Sequence, residues 1–274
     1  MSGDLRDALA ADRAVRRRAA LEAIPFPGGL AVRHPGLHDV HYVNAVLIDA
    51  GTAPLDGDRI AALGDHWLGD LGHRHVVFDD AEHGERSAAA LHEDGWERTR
   101  VAFMVFAANA AEAVDDARAR AVSAAQMEAL QLANLRDQVP GIDAGSGLPA
   151  RLVATQRRLR ATTRARCFGA SEAGDELASM CTLFLDPDVN GRRIAMVTDV
   201  GTRMAHRGRG LARAVIAAAI ADARRWGADL IVVGADADDW PQVMYSALGF
   251  EPVGLQVALT RRLPPRPGSV SGGL

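Results

Sequence analysis

The feature that most constrains the fold is a tight, glycine-containing turn between two apolar segments. The apolar segment 193–202 leads into the turn at 207–210, whose sequence is RGRG, and the stretch 209–226 follows. That stretch predicts a helix, because its apolar residues recur on one face and Gly227 stands where helices are commonly capped. An apolar strand that leads through a short turn into an apolar helix is the repeating unit of α/β sheets.

Apolar and helix-prone segments alternate along the rest of the chain in the same way. Predicted strands lie at 42–48, 75–78, 98–107, 166–170, 176–185, 193–202, 229–234, 250–253 and 255–262. Predicted helices lie at 58–69, 84–93, 109–138, 149–164, 209–226 and 240–248. Strands interleaved with helices predict an α/β protein with a mixed sheet and flanking helices.

Composition narrows the class of function. The 274 residues are 48% hydrophobic, which is enough for one large core or two modest ones. A formal net charge of -4 gives no support for nucleic-acid binding. No segment reaches the apolar length of a membrane span or has the apolar region of a signal peptide, and two cysteines do not make a disulfide framework. We therefore expect a cytoplasmic protein with neither nucleic-acid nor membrane partners.

The glycine turn also has a chemical consequence. The first backbone N–H groups of a helix have no intrahelical partner, and the helix dipole adds partial positive charge at that end. Gly208 and Gly210 have no Cβ, so a ligand could approach the backbone closely, and Arg207 and Arg209 add charge. These features predict an anion site, most naturally for phosphate. A tight turn with solvated arginines is the alternative interpretation.

Two common phosphate-binding loops do not fit this turn. The P-loop requires GxxxxGK[ST], and the sequence contains no lysine. The dinucleotide fingerprint requires GxGxxG, and Arg213 stands where its third glycine belongs.

The turn instead resembles the signature of the GNAT superfamily of acyl-CoA N-acetyltransferases, which is R/Q-x-x-G-x-G/A between a strand and a long helix. Residues 207–212, RGRGLA, match every specified position. A second segment is similar to the Asn…Leu-Tyr-x-x-x-Gly-Phe segment of that family. Tyr245 and the pair Gly249-Phe250 match it, and Asp239 stands where Asn is common.

The resemblance implies acetyl-CoA as co-substrate, bound where two parallel strands splay apart, here 193–202 and 229–234. The pyrophosphate would rest on the amides of 208–213, and the pantetheine arm would pair with the free edge of the first strand. The implied cofactor-binding residues are Val200, Gly201, Thr202, Arg207, Gly208, Arg209, Gly210, Leu211, Ala212, Arg213, Asp239 and Tyr245.

The resemblance also implies the catalytic groups. Tyr245 would protonate the departing thiolate, and an amide near Val200 would polarise the acetyl carbonyl. Many members of the family place a Glu on the first strand as general base, and the matching position here is near Thr198. Asp199 is adjacent, although strand alternation points it to the opposite face unless a bulge intervenes, and we take it as the candidate base. The alternatives are Glu176, Asp186 and solvent.

A weak internal repeat relates residues 74–98 to residues 228–252. Each copy predicts a strand, a short helix, a glycine, an aromatic residue and a further strand. The first copy lacks the glycine turn and has Leu91 at the position of Tyr245. By resemblance, the N-terminal half is therefore a smaller, degenerate GNAT-like domain that does not bind CoA and instead walls the acceptor site.

These observations divide the chain into four segments. We expect an amphipathic N-terminal helix at 1–24, the degenerate GNAT-like domain at 25–120, the acetyl-CoA-binding domain at 121–263 and a disordered tail at 264–274, rich in Pro, Gly and Ser.

The resulting prediction is an acyltransferase that moves an acetyl group from acetyl-CoA to an amine. The acceptor is a small molecule or a peptide, and a monomer and a homodimer both remain open. The alternative is a non-catalytic acyl-CoA-binding or regulatory protein with the same fold. No metal is expected, because His34, His38 and His41 lie in a loop-to-strand stretch without cysteine support.

Overall fold

A computed structural model of the chain describes residues 1–107, 116–138, 147–172 and 176–263. The loop predicted ahead of Pro149 falls largely on 139–146 and the predicted tail on 264–274, so both lie outside the described residues.

The described residues form seven α-helices and eleven β-strands. The helices are α1 Gly3–Ala19, α2 Gly57–Leu68, α3 Ala81–Leu91, α4 Ala124–Gln138, α5 Leu148–Thr162, α6 Leu211–Trp226 and α7 Pro241–Ser246. The strands are β1 Glu22–Phe26, β2 Gly29–Arg33, β3 Ala45–Ile48, β4 His73–Phe78, β5 Glu97–Phe106, β6 Ala119–Ala121, β7 Arg164–Ala170, β8 Ser179–Val189, β9 Arg192–Thr202, β10 Leu230–Asp236 and β11 Phe250–Arg262. The predicted α/β fold with a mixed sheet and flanking helices is confirmed.

Two predictions are wrong. Part of the helix predicted at 109–138 lies outside the described residues, and residues 116–123 of it are not helical. The Asp116 side chain accepts the Arg118 backbone N–H at 3.0 Å and closes a turn, after which β6 pairs with β7 and α4 follows from Ala124. The strands predicted at 250–253 and 255–262 are one strand, β11. Gly254 does not break this strand. A Cβ there would lie 2.3 Å from Leu5 Cδ2, so the glycine lets α1 approach closely.

The antiparallel hairpin of β1 and β2, in which Glu22 to Phe26 pair with Arg33 to Gly29, is absent from the predicted strands. Its turn contains Gly28 with a φ of +87°, a left-handed conformation that glycine adopts at low cost. Pro25 and Pro27 around this turn argue against a strand in a reading of sequence alone.

One compact unit consists of Met1–Ala19 and Val101–Leu255. Its strands follow the order β5-β10-β9-β8-β7-β6, in which β9 and β10 are parallel and the other described pairs are antiparallel. The apolar face of α6 supplies much of the core. Its buried apolar side chains include Leu211, Val215, Ile216 and Ile220.

The second compact unit consists of Ala20–Arg100 and the chain from Gln256 onward. Its strands follow the order β1-β2-β3-β4-β11, with β3 and β4 parallel. Residues of α2 and α3, such as Ile60, Leu68 and Leu91, pack into its core. Both units are discontinuous in sequence, unlike the predicted ranges 25–120 and 121–263, and α1 groups with the first unit.

The repeated order of elements is confirmed in the two units. A strand, a helix, a parallel strand and a second helix follow one another as β3-α2-β4-α3 and as β9-α6-β10-α7. Each run continues with a left-handed glycine, Gly95 with φ +76° or Gly249 with φ +97°. A buried aromatic residue comes next, Trp96 or Phe250. No helix in the described ranges is both long and apolar enough to cross a membrane.

Candidate functional site

The strands β9 and β10 separate towards their carboxyl ends. They pair in parallel from Ile194 with Leu230 to Val197 with Val233, and no further. Both strands nevertheless continue, β9 to Thr202 and β10 to Asp236. The side of β9 that faces β10 therefore has an unpaired backbone edge beyond Val197, where the predicted Val200, Gly201 and Thr202 lie.

The helix α6 begins at Leu211, two residues later than predicted, with Gly210 as its N-cap. Gly210 has φ +78° and Gly208 has φ +75°, so each occupies the left-handed region that disfavours other residues. No side chain caps the helix, and its first backbone bond runs from the Ala214 N–H to the Gly210 carbonyl. In the described part of the chain, no N–H group from 208 to 213 finds an acceptor.

The space beside this turn is open. A Cβ added at Gly208 would meet nothing within 4 Å, and at Gly210 it would meet only Arg118 Nη2 at 3.6 Å. The turn therefore presents a run of free amides, at the positive end of a helix dipole, to whatever occupies that space.

The four arginines around the turn differ in their partners. Arg209 forms an ion pair with Glu172, and Arg118 pairs with Asp116 at 2.6 Å and donates to the Arg209 carbonyl at 3.0 Å. Arg207 donates through Nε to the Thr202 carbonyl at 3.3 Å, and Arg213 is exposed. Within the described residues neither Arg207 nor Arg213 forms an ion pair, although the charge of Arg207 helps to lower the pKa of Asp137. These two side chains are the cations free to neutralise a bound anion.

Glu172 and Asp137 hold the loop in place, and the sequence analysis assigned no role to either. Glu172 also accepts a contact from His206 Nδ1 at 2.7 Å, and His206 and Arg209 keep the pKa of Glu172 below its ordinary range. Asp137 at the end of α4 binds Arg203 Nε at 2.6 Å and the Met204 N–H at 3.2 Å. Carboxylates near arginines are too common in sequence to reveal such pairs.

A β-bulge lies at Asp199. Met180 on β8 pairs with Gly201, and Thr182 pairs with Thr198, so Asp199 and Val200 lie opposite the single residue between. Asp199 has φ +55°, which few non-glycine residues adopt. The bulge interrupts the alternation of side chains between the two faces of β9. The prediction of Asp199 as the base depended on such a bulge.

The Asp199 carboxylate lies in a polar chain that begins on α5. Gln131 on α4 donates from Nε2 to Asp199 Oδ2, and Arg160 Nη1 donates to Gln131 Oε1 at 3.3 Å. Burial raises the pKa of Asp199 to about 6, while the bond from Gln131 and the charge of Arg160 oppose the rise. A carboxylate with such a pKa can accept a proton near neutral pH.

The two alternative bases have other surroundings. Asp186 binds Arg18 Nη2 at 2.6 Å and lies opposite Ile194, five residues before Asp199 on β9. Five residues along a strand span about 17 Å. Glu176 is exposed and lies 3.7 Å from Arg203 Nη1. Neither shares the environment of Asp199.

Tyr245 lies on α7, with its ring buried edge-on against Phe250 at a centroid distance of 5.9 Å. Its hydroxyl has no hydrogen-bond partner within the described residues. Burial, and to a lesser extent the neighbouring Cys181, raises the pKa of Tyr245 to about 12. The phenol is therefore protonated throughout the physiological range.

The remaining predicted residues divide into two groups. Gly201 and Thr202 are held by Ser179, whose Oγ lies 3.0 Å from the Gly201 carbonyl and 2.9 Å from Thr202 Oγ1. A Cβ at Gly201 would lie 2.7 Å from Asn134 Nδ2, so close packing of α4 requires glycine there. Asp239 is exposed and accepts the Trp240 N–H at 2.7 Å.

The histidines considered as metal ligands do not come together as a trio. His41 instead packs against His73 and His75, with ring centroids 4.3 and 5.2 Å away. Across the described ranges, no group of three or more His, Cys, Asp or Glu side chains is arranged to hold a metal ion.

Known proteins share sequence features with the part of the chain that contains this site. The sequence model of the Acetyltransferase (GNAT) family matches residues 136–250. That region contains β9, the glycine turn, α6, β10 and Tyr245. The C-terminal part of the chain is thus similar to the GNAT family over these residues. No curated protein shows significant sequence similarity to the chain.

Solved structures share the fold over most of the chain. A functionally unknown conserved protein from Staphylococcus epidermidis superposes with a TM-score of 0.65 at 13% identity, covering 89% of this chain and 94% of that one. A GCN5-related N-acetyltransferase from Kribbella flavida gives 0.56 at 18% identity, over 95% and 96%. A GCN5-related N-acetyltransferase from Sphaerobacter thermophilus gives 0.51 at 14% identity, over 81% and 74%. At these identities the likeness concerns the fold.

Proposed function

We propose that the protein transfers an acetyl group from acetyl-CoA to the amine of a small molecule or peptide. The observation that carries this proposal is the run of free amides at 208–213 beside the unpaired edge of β9, with Asp199 on the same strand. We place the reaction in the cytoplasm, since the buried, unpaired Cys167 and Cys181 fit a reducing compartment.

The residues of the turn fit a pyrophosphate. The amides of 208–213 supply donors, Arg207 and Arg213 supply charge that no ion pair occupies, and the glycines leave room for the oxygens. The unpaired edge of β9 at Val200–Thr202 suits an extended chain with alternating amide groups. Asp239 is a weaker candidate contact, because its carboxylate is exposed, binds the Trp240 N–H and would repel phosphate.

In the proposed reaction, Asp199 takes a proton from the incoming ammonium group, directly or through water. The neutral nitrogen then forms a bond to the thioester carbonyl carbon, the C–S bond breaks, and the nitrogen loses its second proton to solvent. The Val200 backbone N–H is our candidate donor to the carbonyl oxygen as negative charge develops on it. The pKa of Asp199, about 6, leaves this group ionised and able to accept the proton at pH 7.

Tyr245 acts on the departing sulfur. An ordinary thiol has a pKa of about 8.5, so full transfer of a proton from a phenol with a pKa of about 12 would be uphill by about 5 kcal/mol. We therefore propose that the Tyr245 hydroxyl stabilises the thiolate mainly by donating a hydrogen bond. The proton reaches the sulfur from solvent as the product leaves.

The experiment combines purified protein, acetyl-CoA and a panel of amines, including amino acids, polyamines, aminoglycosides and peptide N-termini. Release of free thiol and a mass increase of one acetyl group on one amine are the expected results. Binding of acetyl-CoA without turnover on any amine would favour the alternative, a non-catalytic acyl-CoA-binding protein. Absence of acetyl-CoA binding would refute both.

A further inference from the structure

The second unit contains a cavity that takes no part in the proposed transfer. It has a volume of about 270 Å³ and lies between the β1–β2 turn, the end of β3 and one face of α2. All of its lining residues fall within 26–67, whereas the residues proposed for transfer fall within 199–245. Its occupant can therefore be tested separately from acetyl-CoA.

One wall of the cavity is aromatic. The rings of Phe26 and Trp67 stack with centroids 5.6 Å apart and an interplanar angle of 25°. Ile48, Leu55 and Leu63 add aliphatic surface. A planar ring placed against this wall would gain both apolar burial and offset stacking.

One polar group of the lining lacks a partner. The exposed Arg59 guanidinium has no ion-pair or hydrogen-bond partner within the described residues. This group favours a ligand that carries a negative charge.

The volume limits the size of the ligand. An apolar cavity of about 150 Å³ accommodates benzene. A cavity of about 270 Å³ therefore has room for a fused bicyclic ring, or for a single ring with a short substituent.

Other occupants satisfy fewer of these features. An aliphatic chain would cover the apolar wall but would gain no ring stacking and would leave the Arg59 charge unmatched. A phosphate would pair with Arg59 but would not use the aromatic wall. We infer that this cavity is a binding site for a small planar aromatic carboxylic acid, with its ring against Phe26 and Trp67 and its carboxylate towards Arg59.

The test uses 2-naphthoate as the probe and the full chain, with binding followed by calorimetry. Arg59→Gln removes the charge from an exposed position, and Leu63→Trp fills the cavity. Arg86→Gln is the matched control, because Arg86 is an exposed helical arginine of the same unit that pairs with Glu82. The neutral amide 2-naphthamide tests the need for a carboxylate.

We expect one 2-naphthoate per chain, weakened about fivefold or more by Arg59→Gln, abolished by Leu63→Trp and unchanged by Arg86→Gln. The neutral amide should bind more weakly than the acid. Failure of the wild-type protein to bind 2-naphthoate at millimolar concentration would overturn the inference, and so would equal affinity in wild type and Arg59→Gln. Because Arg59 is exposed, that variant keeps the test decisive if Leu63→Trp does not fold, and acetyl-CoA binding reports separately on the other site.

Discussion

The two units contain the same strand-to-helix junction, and they treat its backbone amides in opposite ways. At the junction of β3 and α2, Asp56 is the N-cap and its side chain accepts the Arg59 N–H at 2.8 Å. At the junction of β9 and α6, the N-cap is Gly210 and no side chain caps the helix. At the first junction a carboxylate already occupies a backbone amide, whereas the free amides at the second can bind an anion. The fold supplies the helix end, and one residue decides whether it is available to a phosphate.

The junction of β9 and α6 lacks the stabilisation that the Asp56 side chain gives the junction of β3 and α2. A side-chain cap contributes about 0.5–2 kcal/mol to a helix. The helix α6 compensates through packing, since Leu211, Val215, Ile216 and Ile220 are all buried, and Gly227 closes its other end with bonds to Ala223 and Arg224. The amides that a cap would have satisfied remain available to a ligand.

A second contrast lies in the matched residues Leu91 and Tyr245. Leu91 ends α3 and packs on the first turn of α2, 3.0 Å from the position of a Cβ at Gly57. The matching Tyr245 ends in a hydroxyl without a partner in the described chain. The two units therefore differ where acetyl transfer requires a polar group. The comparison predicts that substitutions at the second junction change acetyl transfer while matched substitutions at the first do not.

The largest expected effect is on turnover in Asp199→Asn. Asn tolerates the left-handed backbone of the bulge and can still accept the bond from Gln131, but it cannot take a proton. We expect kcat to fall about 10²–10⁴-fold, measured by thiol release with the accepting amine. Asp49→Asn, just after β3, is the matched control and should retain wild-type turnover. A loss below threefold in Asp199→Asn would remove the base from our mechanism.

The same variant should be more stable at neutral pH. Because the folded-state pKa of Asp199 is about 6 and its ordinary value 3.8, the native state binds the proton more tightly than the unfolded chain. Wild-type stability therefore falls as the pH rises from about 4 to about 6, by at most about 3 kcal/mol. Denaturation at pH 7 should show Asp199→Asn as stable as wild type or more so, and kcat/KM of wild type should rise through about pH 6. A destabilised Asn variant would indicate a structural role.

A smaller loss of turnover is expected for Tyr245→Phe. The change removes only the hydroxyl, and a hydrogen bond to a developing charge contributes about 1.5–3 kcal/mol, which corresponds to roughly a tenfold to hundredfold effect on kcat. Acetyl-CoA affinity should barely move. Tyr42→Phe, at the only other tyrosine of the chain, is the control. Equal turnover in Tyr245→Phe and wild type would mean that Tyr245 is structural.

The comparison of the two junctions is tested by one glycine from each. Gly210→Asp places a capping carboxylate where the phosphate is expected, and acetyl-CoA affinity should fall at least about tenfold in calorimetry. Gly51→Asp is a matched change in the loop after β3, where φ is also positive, at +89°, and a Cβ would meet nothing within 4 Å. Its acetyl-CoA affinity should equal that of wild type. A folded Gly210→Asp protein with unchanged affinity would contradict the assignment of the site.

The smallest expected effect is a shift in a pH profile. Gln131→Met removes the bond that helps to keep the Asp199 carboxylate charged, so the pKa of Asp199 should rise. The rising limb of kcat/KM should move to higher pH by less than about one unit, while the plateau stays within about threefold of wild type. Gln126→Met on the same helix should leave the profile in place, and a shift in both variants would argue against a specific role for Gln131.

The structural features that depend on local sequence could be predicted, whereas those that depend on contacts between residues distant in sequence could not. The turn at 207–210, the helix after it and the parallel strands are visible in apolar periodicity and in glycine positions. The bulge at Asp199 is not visible, because it arises from how β8 and β9 pair. The Gln131–Asp199 bond joins residues 68 positions apart, and no local pattern links them.

Tertiary pairing also explains two elements that the sequence predicted wrongly or not at all. The alanine-rich stretch 109–138 has a high helix propensity, yet its residues 119–121 pair with β7 at a sheet edge. The hairpin of β1 and β2 contains two prolines that argue against strands. In both places tertiary pairing overrode the local preference.

The most direct test of the comparison is the stoichiometry of acetyl-CoA binding. Calorimetric titration of the full chain should give one site per chain, because of the two matching junctions the one of β9 and α6 leaves its amides free, whereas Asp56 closes the one of β3 and α2. A single site that is weakened in Gly210→Asp and retained in Gly51→Asp is the predicted result. Two equivalent sites per chain, or one site lost in Gly51→Asp alone, would contradict the account.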